Sequence, residues 1–284
     1  MLGWLYWDPS RIAFTMPFVG HPVAWYGVLF AAGFIIGYFL ITSIFSRRLQ
    51  AVNFEGDLAS ESTKLADRFT WLVVLGTLIG ARLGHVFFYD WSRYSAHLWD
   101  ILKVWEGGLA SHGAAIAILL MLIVFRYSVR KTLPSFTWLA MLDSLVIPTA
   151  LAGCLIRMGN FVNQEILGTP TQAPWAVVFG HPYDGGAVVP RHPVQLYEAF
   201  AYLLTFAVIW RLWQKRGTSI KEGVYSGLFF LLVFGSRFVL EYFKVPQTEM
   251  ESQSLLSMGQ WLSIPFVVLG AWLVKPSVPA VDRA

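Results

Sequence analysis

Seven apolar runs, each near twenty residues, constrain this chain more than any other feature. They lie near 23–45, 69–89, 109–125, 136–156, 195–212, 223–243 and 257–274. A helix rising 1.5 Å per residue needs about 20 apolar residues to cross a bilayer. The hydrocarbon core offers no water, so every backbone N–H and C=O must be satisfied within the protein, which the helix achieves. The third and fifth runs are short and extend into flanking polar sequence. Charged residues make up 13% of the 284-residue chain, against roughly 25% in soluble domains. The expected fold class is an all-α polytopic membrane protein with about seven transmembrane helices. It forms a single integral-membrane domain over 1–284. The first run lacks a basic leader and a small-residue cleavage site, so it is expected to stay in the membrane. There is no internal repeat. The single cysteine, Cys154, lies in an apolar run beside Ala152 and Gly153 and reads as a packing residue.

Basic residues set the orientation. Alternate loops divide the 21 Lys and Arg into thirteen on one side, six on the other and two, Arg82 and Arg237, inside spans. The richer side carries Arg47, Arg48, Arg130, Lys131, Lys215 and Arg216 and should be cytoplasmic. The N-terminus then faces outward and the C-terminus inward. The stretch 47–68 reads as a cytoplasmic arm. The longest outer loop, 158–194, is rich in Gly and Pro and should form a small irregular periplasmic subregion.

Polar residues inside or at the ends of spans carry the functional signal, because hydrocarbon makes them expensive. Arg82 and Arg237 lie in the outer halves of their spans, His112 opens the third, and Arg157 closes the fourth. Together they suggest a polar cavity opening to the outer leaflet, where guanidinium groups grip a phosphate bidentately. Each has a plainer reading. Arg237 and Glu241 are spaced for an i,i+4 ion pair, Arg82 is long enough to snorkel to head groups, and His112 suits a hydrogen-bonded core position. Gly107, Gly108 and Gly113 around His112 favour close approach of backbone or ligand. Asp143 sits toward the cytoplasmic half and reads as a structural hydrogen-bond partner. A second polar cluster, Arg191-His-Pro-Val-Gln-Leu-Tyr-Glu198, starts the fifth span, with Pro193 placed to open the helix. Trp25, Tyr89, Trp91, Trp99 and Trp105 read as interfacial anchors. No phosphate-binding glycine loop, nucleotide fingerprint or metal-spaced His/Cys set appears.

These residues resemble the bacterial prolipoprotein diacylglyceryl transferase family. Arg157-Met-Gly-Asn-Phe-Val-Asn-Gln-Glu-Ile-Leu-Gly168 is similar at every fixed position to the family signature R-x-G-N-F-x-N-x-E-x-x-G. Supporting matches are Trp25-Tyr26-Gly27, Gly80-Ala-Arg82-Leu-Gly, Gly107-Gly108 with Ser111-His112-Gly113, the Arg191–Glu198 cluster, Arg237-Phe-Val-Leu-Glu241 and Ser257-Met-Gly-Gln-Trp-Leu-Ser-Ile-Pro265. The chain departs from the family at Ala114, at Val233 where a tyrosine is common, and at Lys244-Val-Pro246-Gln247, where the family carries R-x-P-D.

The resemblance implies transfer of the sn-1,2-diacylglyceryl group from phosphatidylglycerol to the lipobox cysteine thiol of a preprolipoprotein. A thioether forms and glycerol 1-phosphate leaves, the first step of bacterial lipoprotein maturation. Implied partners are phosphatidylglycerol, the preprolipoprotein signal peptide and membrane lipids, with no nucleic acid, no cofactor and no metal. The implied location is the inner membrane, with the site toward the outer leaflet. Arg157 and Arg237 are implied to bind phosphate and stabilise the leaving group, with His112 the candidate base by residue type. An alternative is that a nearby guanidinium lowers the thiol pKa without any base. Tyr26, Arg82, Asn160, Asn163, Glu165, Gly168, Arg191, His192, Glu198 and Glu241 are the implied substrate-binding set. A lipid or anion transporter would place polar partners in the cytoplasmic half too, where Asp143 stands alone. An intramembrane protease needs a nucleophile–base, paired-Asp or metal arrangement at one depth. The adjacent Ser111 and His112 do not supply one.

Overall fold

The computed structural model describes residues 3–18, 20–104, 107–134, 136–245 and 255–276. Trp105 and the Pro246-Gln247 pair lie outside the described residues. Three short strands, β1 (Leu5–Trp7), β2 (Ile12–Thr15) and β3 (Pro22–Ala24), precede the helices α1 (Trp25–Ala51) and α2 (Leu58–Phe88). After α3 (Trp91–Ala96) and a 3-10 turn come α4 (Ser111–Val129) and α5 (Trp138–Asn163). Strands β4 (Val177–Phe179) and β5 (Pro190–Arg191) lead into α6 (Val194–Arg216). The next span is broken into α7 (Val224–Phe229), a π turn at Phe230–Phe234, α8 (Gly235–Leu240) and a 3-10 turn at Glu241–Phe243. Helix α9 (Met258–Val274) follows.

Six of these segments are long and apolar enough to cross a membrane, and α9 is a shorter apolar helix. The expectation of a polytopic all-α protein holds, with boundaries moved. Helix α2 starts at Leu58 because Asp57 caps it, accepting from the backbone N–H groups of Ala59 and Ser60. The stretch read as an arm is therefore mostly the ends of two helices. Likewise α5 continues to Asn163, so the outer loop begins only after it.

The chain divides into two compact units, residues 1–37 with 142–284, and residues 38–141. In the second unit, Phe45, Phe69, Phe125 and Phe136 form a buried ring cluster with neighbouring centroids 5.0–6.3 Å apart. Helices α2 and α4 approach closely through small residues. A Cβ added at Gly84 would lie 2.7 Å from the Cα of Gly113, so no larger side chain fits that crossing.

In the first unit, β1 pairs parallel to β4 and β4 antiparallel to β5. This small sheet packs on the end of α5. Phe161, the aromatic of the signature, is buried with Leu167, Val177 and Phe179 and stacks on Trp7 at 4.6 Å. Asp143 is buried and accepts from the N–H groups of Gly223 (2.7 Å) and Ser226 (2.8 Å) and from the Ser226 hydroxyl (2.7 Å). It pins the start of α7, the structural role its sequence position suggested.

Candidate active site

The last turn of α5 presents Arg157 and Asn160 three residues apart, hence on one helical face. The Arg157 Nη1 donates to Asn160 Oδ1 at 3.1 Å, and Asn160 Nδ2 donates to Glu165 at 2.9 Å. Asn163 donates to the other Glu165 oxygen at 3.1 Å. Glu165 reaches back because the chain reverses sharply around it. Gln164 and Ile166 adopt positive φ, 57° and 54°, and such strain, about 1–3 kcal/mol per residue, concentrates at functional sites.

An external clasp holds this turn. The buried Gln164 side chain donates to Asp8 Oδ1 (3.0 Å) and accepts from the His181 N–H (2.7 Å). Asp8 also pairs with His181 Nδ1 at 2.7 Å. The His181 hydrogen bond, then that of Gln164, holds the Asp8 carboxyl below its usual pKa of 3.8.

Helix α6 adds the next layer. Glu198 is fully buried. Its Oε2 lies 2.9 Å from Arg157 Nε, an ion-pair distance without hydrogen-bond alignment. Its Oε1 accepts from Lys244 Nζ at 2.9 Å, and Lys244 also donates to Glu241 at 2.9 Å. One polar network thus runs from Asn163 through Glu165, Asn160, Arg157, Glu198 and Lys244 to Glu241. Gln195, one turn from Glu198, donates to the Glu165 carbonyl at 2.6 Å. Among the described residues, Asn163 Oδ1 and Gln195 Oε1 are buried acceptors with no donor. Tyr26 packs on Gly159, close enough to Glu165 and Arg157 to interact with both charges.

Arg237 follows the π turn, a distortion often found at functional sites. The Arg237–Glu241 ion pair that the i,i+4 spacing allows does not form. Among the described residues, no carboxylate or hydrogen-bond acceptor engages the Arg237 guanidinium. Its charge acts on Tyr202, which Arg157 also contacts.

Other sequence-selected residues shape the surroundings. Gly168 is backbone-bridged to Lys244, and a Cβ there would lie 2.7 Å from Val194 Cγ2. Arg191 turns to the outer loop, pairing with Asp184 at 3.5 Å and donating to the Ala187 carbonyl. The His192 ring packs against Phe243 at 5.0 Å and its Nδ1 meets the Tyr197 hydroxyl at 3.2 Å.

Arg82 and His112 belong to the second unit. Arg82 is buried and gives all five of its N–H groups to backbone carbonyls. The acceptors are Asp100, Ile101 (2.8 Å), Lys103 (3.1 Å), Gly107 (2.6 Å) and Gly108 (3.4 Å). His112 is exposed at the start of α4, its ring 5.2 Å from Phe88 and 5.6 Å from Tyr89. Sequence reading passed over Lys244 as a loop charge. Its spacing of three from Glu241 across the end of a span was the signal.

The described residues hold no cluster of three or more His, Cys, Asp or Glu able to bind a metal. Such a fold and site define a multi-pass membrane protein with a carboxylate-buttressed arginine centre at the end of a span. The chain belongs to the prolipoprotein diacylglyceryl transferase family, whose model matches residues 11–275. A phosphatidylglycerol–prolipoprotein diacylglyceryl transferase of Tolumonas auensis is 45% identical, covering 98% of this chain and 100% of its own. Proteins of the same name from Protochlamydia amoebophila and Chloroherpeton thalassium are 40% and 39% identical. They cover 96% and 97% of this chain and 95% of their own lengths.

Proposed function

We propose that this protein transfers the diacylglyceryl group of phosphatidylglycerol to the lipobox cysteine of a preprolipoprotein. The cysteine sulfur bonds to the glyceryl carbon, that carbon's bond to the phosphate oxygen breaks, and glycerol 1-phosphate leaves. The thiol proton passes to a base or to water. The observation that carries the reading is the pairing of two unlike arginines. Arg157 is fixed by Asn160 and Glu198, while Arg237 has no carboxylate partner among the described residues.

A guanidinium held in place needs no reorganisation as phosphate charge grows. In a site shielded from water it opposes that charge more strongly than in bulk. Arg157 is the oriented member and Arg237 the one with donors to give. Two buried amide oxygens without a donor among the described residues, Asn163 Oδ1 and Gln195 Oε1, suit the hydroxyl groups of a glycerol head group. Tyr26, Asn160, Glu165, Glu198 and Glu241 position the cations, and Gly168, Arg191 and His192 shape the loop above them. Arg82 shapes the segment it binds. His112 is the candidate acceptor of the thiol proton, whose free pKa is about 8.5. Membership of the family supports a bacterial inner-membrane location, and the charge bias of the loops supports the N-terminus outward and the site toward the outer leaflet.

The test uses purified protein, phosphatidylglycerol and a synthetic lipobox peptide. Glycerol phosphate released in step with a diacylglyceryl mass gain on the peptide supports the reading. Absence of both, beside an active control enzyme, refutes it.

A further inference from the structure

Arg237 and Glu241 are spaced to pair with each other on a regular helix, yet Glu241 turns away. The reason lies in the backbone. The helix tightens to a 3-10 turn over Glu241–Phe243, and the Lys244 N–H closes on the Glu241 carbonyl at 3.1 Å. In a 3-10 turn, residues three apart are eclipsed, which brings the Lys244 side chain onto the face of Glu241. Lys244 cannot drift from there. Its backbone is bridged to Gly168, and the Val245 N–H donates to the Leu167 carbonyl at 3.1 Å. On its other side the Glu241 carboxyl is seated against Gly259, where an added Cβ would lie 2.5 Å from Glu241 Cδ.

We propose that Lys244 is a positioning residue that withholds Glu241 from Arg237 and so keeps the Arg237 guanidinium available for the substrate phosphate. The role rests on the transferase reading above. An ammonium has three donors on one point charge and serves two carboxylates at once. Lys244 does so at 2.9 Å to Glu198 and 2.9 Å to Glu241. Arg157 is then engaged by Asn160 and Glu198, Glu165 by Asn160 and Asn163, and Lys244 by Glu198 and Glu241, so Arg237 is the cation of the site that no carboxylate contacts among the described residues. With Lys244 removed, Glu241 becomes a competitor for the phosphate, four residues from the arginine that binds it.

The test measures KM for phosphatidylglycerol and KM for the lipobox peptide separately, with thermal unfolding as a fold check. The variants are Lys244→Met, Glu241→Gln, the two combined, and Lys244→Arg. Lys244→Met raises KM for the lipid about ten-fold, the equivalent of one charge-assisted hydrogen bond, and leaves KM for the peptide unchanged. The combined variant recovers most of that loss, because the competing charge is gone, and Lys244→Arg stays near wild type. A Lys244→Met defect confined to kcat, or a combined variant no better than the single one, overturns the proposal. If Lys244→Met does not fold, Lys244→Gln, which keeps a donor and loses the charge, takes its place and is read against its own combination with Glu241→Gln. A raised lipid KM that the combination relieves supports withholding, and a combination no better than Lys244→Gln alone overturns it. A wild-type protein without transfer activity refutes the transferase reading itself. An active one with the wrong variant pattern refutes only the role of Lys244.

Discussion

Arg82 separates two uses of an intramembrane arginine, and replacing it tells them apart. All five guanidinium N–H groups are taken by carbonyls of residues 100–108, and the Tyr94 ring lies 4.9 Å away. A hydrogen bond to a charged donor contributes about 1.5–3 kcal/mol, so five would sum to roughly 7 kcal/mol or more. Much of 98–102 is exposed, so freed carbonyls there can rehydrate. The expected loss for Arg82→Ala is therefore about 3–5 kcal/mol. Arg82→Lys keeps the charge and three donors and should recover about half. The assays are thermal unfolding in detergent, limited proteolysis of 97–110, and KM for phosphatidylglycerol. Both variants should unfold earlier and be cut faster in that segment, in the order Ala before Lys, while folded protein keeps its lipid KM. Unchanged unfolding with a raised lipid KM would refute the reasoning and make Arg82 a head-group ligand.

Gly168→Ala drives a methyl into the His192 backbone carbonyl and places it 2.7 Å from Val194 Cγ2. The loop must shift, costing about 1–3 kcal/mol, and transfer activity should fall more than expression does. His112→Gln should lower kcat/KM by at least about 100-fold if the imidazole takes the thiol proton. An unaltered kcat/KM would favour guanidinium activation of the thiol. Asp8 has a depressed pKa in the folded protein. Its clasp on Gln164 is therefore intact above about pH 3.8 and lost as pH falls through the lower folded value. Amide exchange at 164–183 should accelerate in that acid window, and Asp8→Asn should show the faster exchange already at neutral pH.

The helices were legible because a bilayer allows an apolar segment almost no other shape. Their ends were not. No continuous apolar run marks the first turns of α2, where Asp57 capping and burial of Leu65 and Ala66 extend the helix. Within the site, local spacing was readable. Arg157, Asn160 and Glu165 sit close in sequence, and the structure links them directly. Links across helices were not. The Glu198 contact to Arg157 and the Lys244 bridge to Glu241 depend on how α5, α6 and the turn after α8 pack. The i,i+4 rule pointed Glu241 at Arg237, but the 3-10 turn redirected it. That Gly107 and Gly108, at positive φ of 86° and 70°, accept from Arg82 was not legible, because glycines beside His112 equally suit close approach of backbone or ligand.

Arg237→Ala, assayed with phosphatidylglycerol and lipobox peptide beside wild type, tests the central claim most directly. Arg237 has no partner to lose among the described residues, so unfolding should be unchanged. Glycerol phosphate release and the peptide mass gain should fall together by at least about 100-fold, the scale of one lost electrostatic donor at the reacting phosphate. Full activity in a folded Arg237→Ala protein would contradict the account.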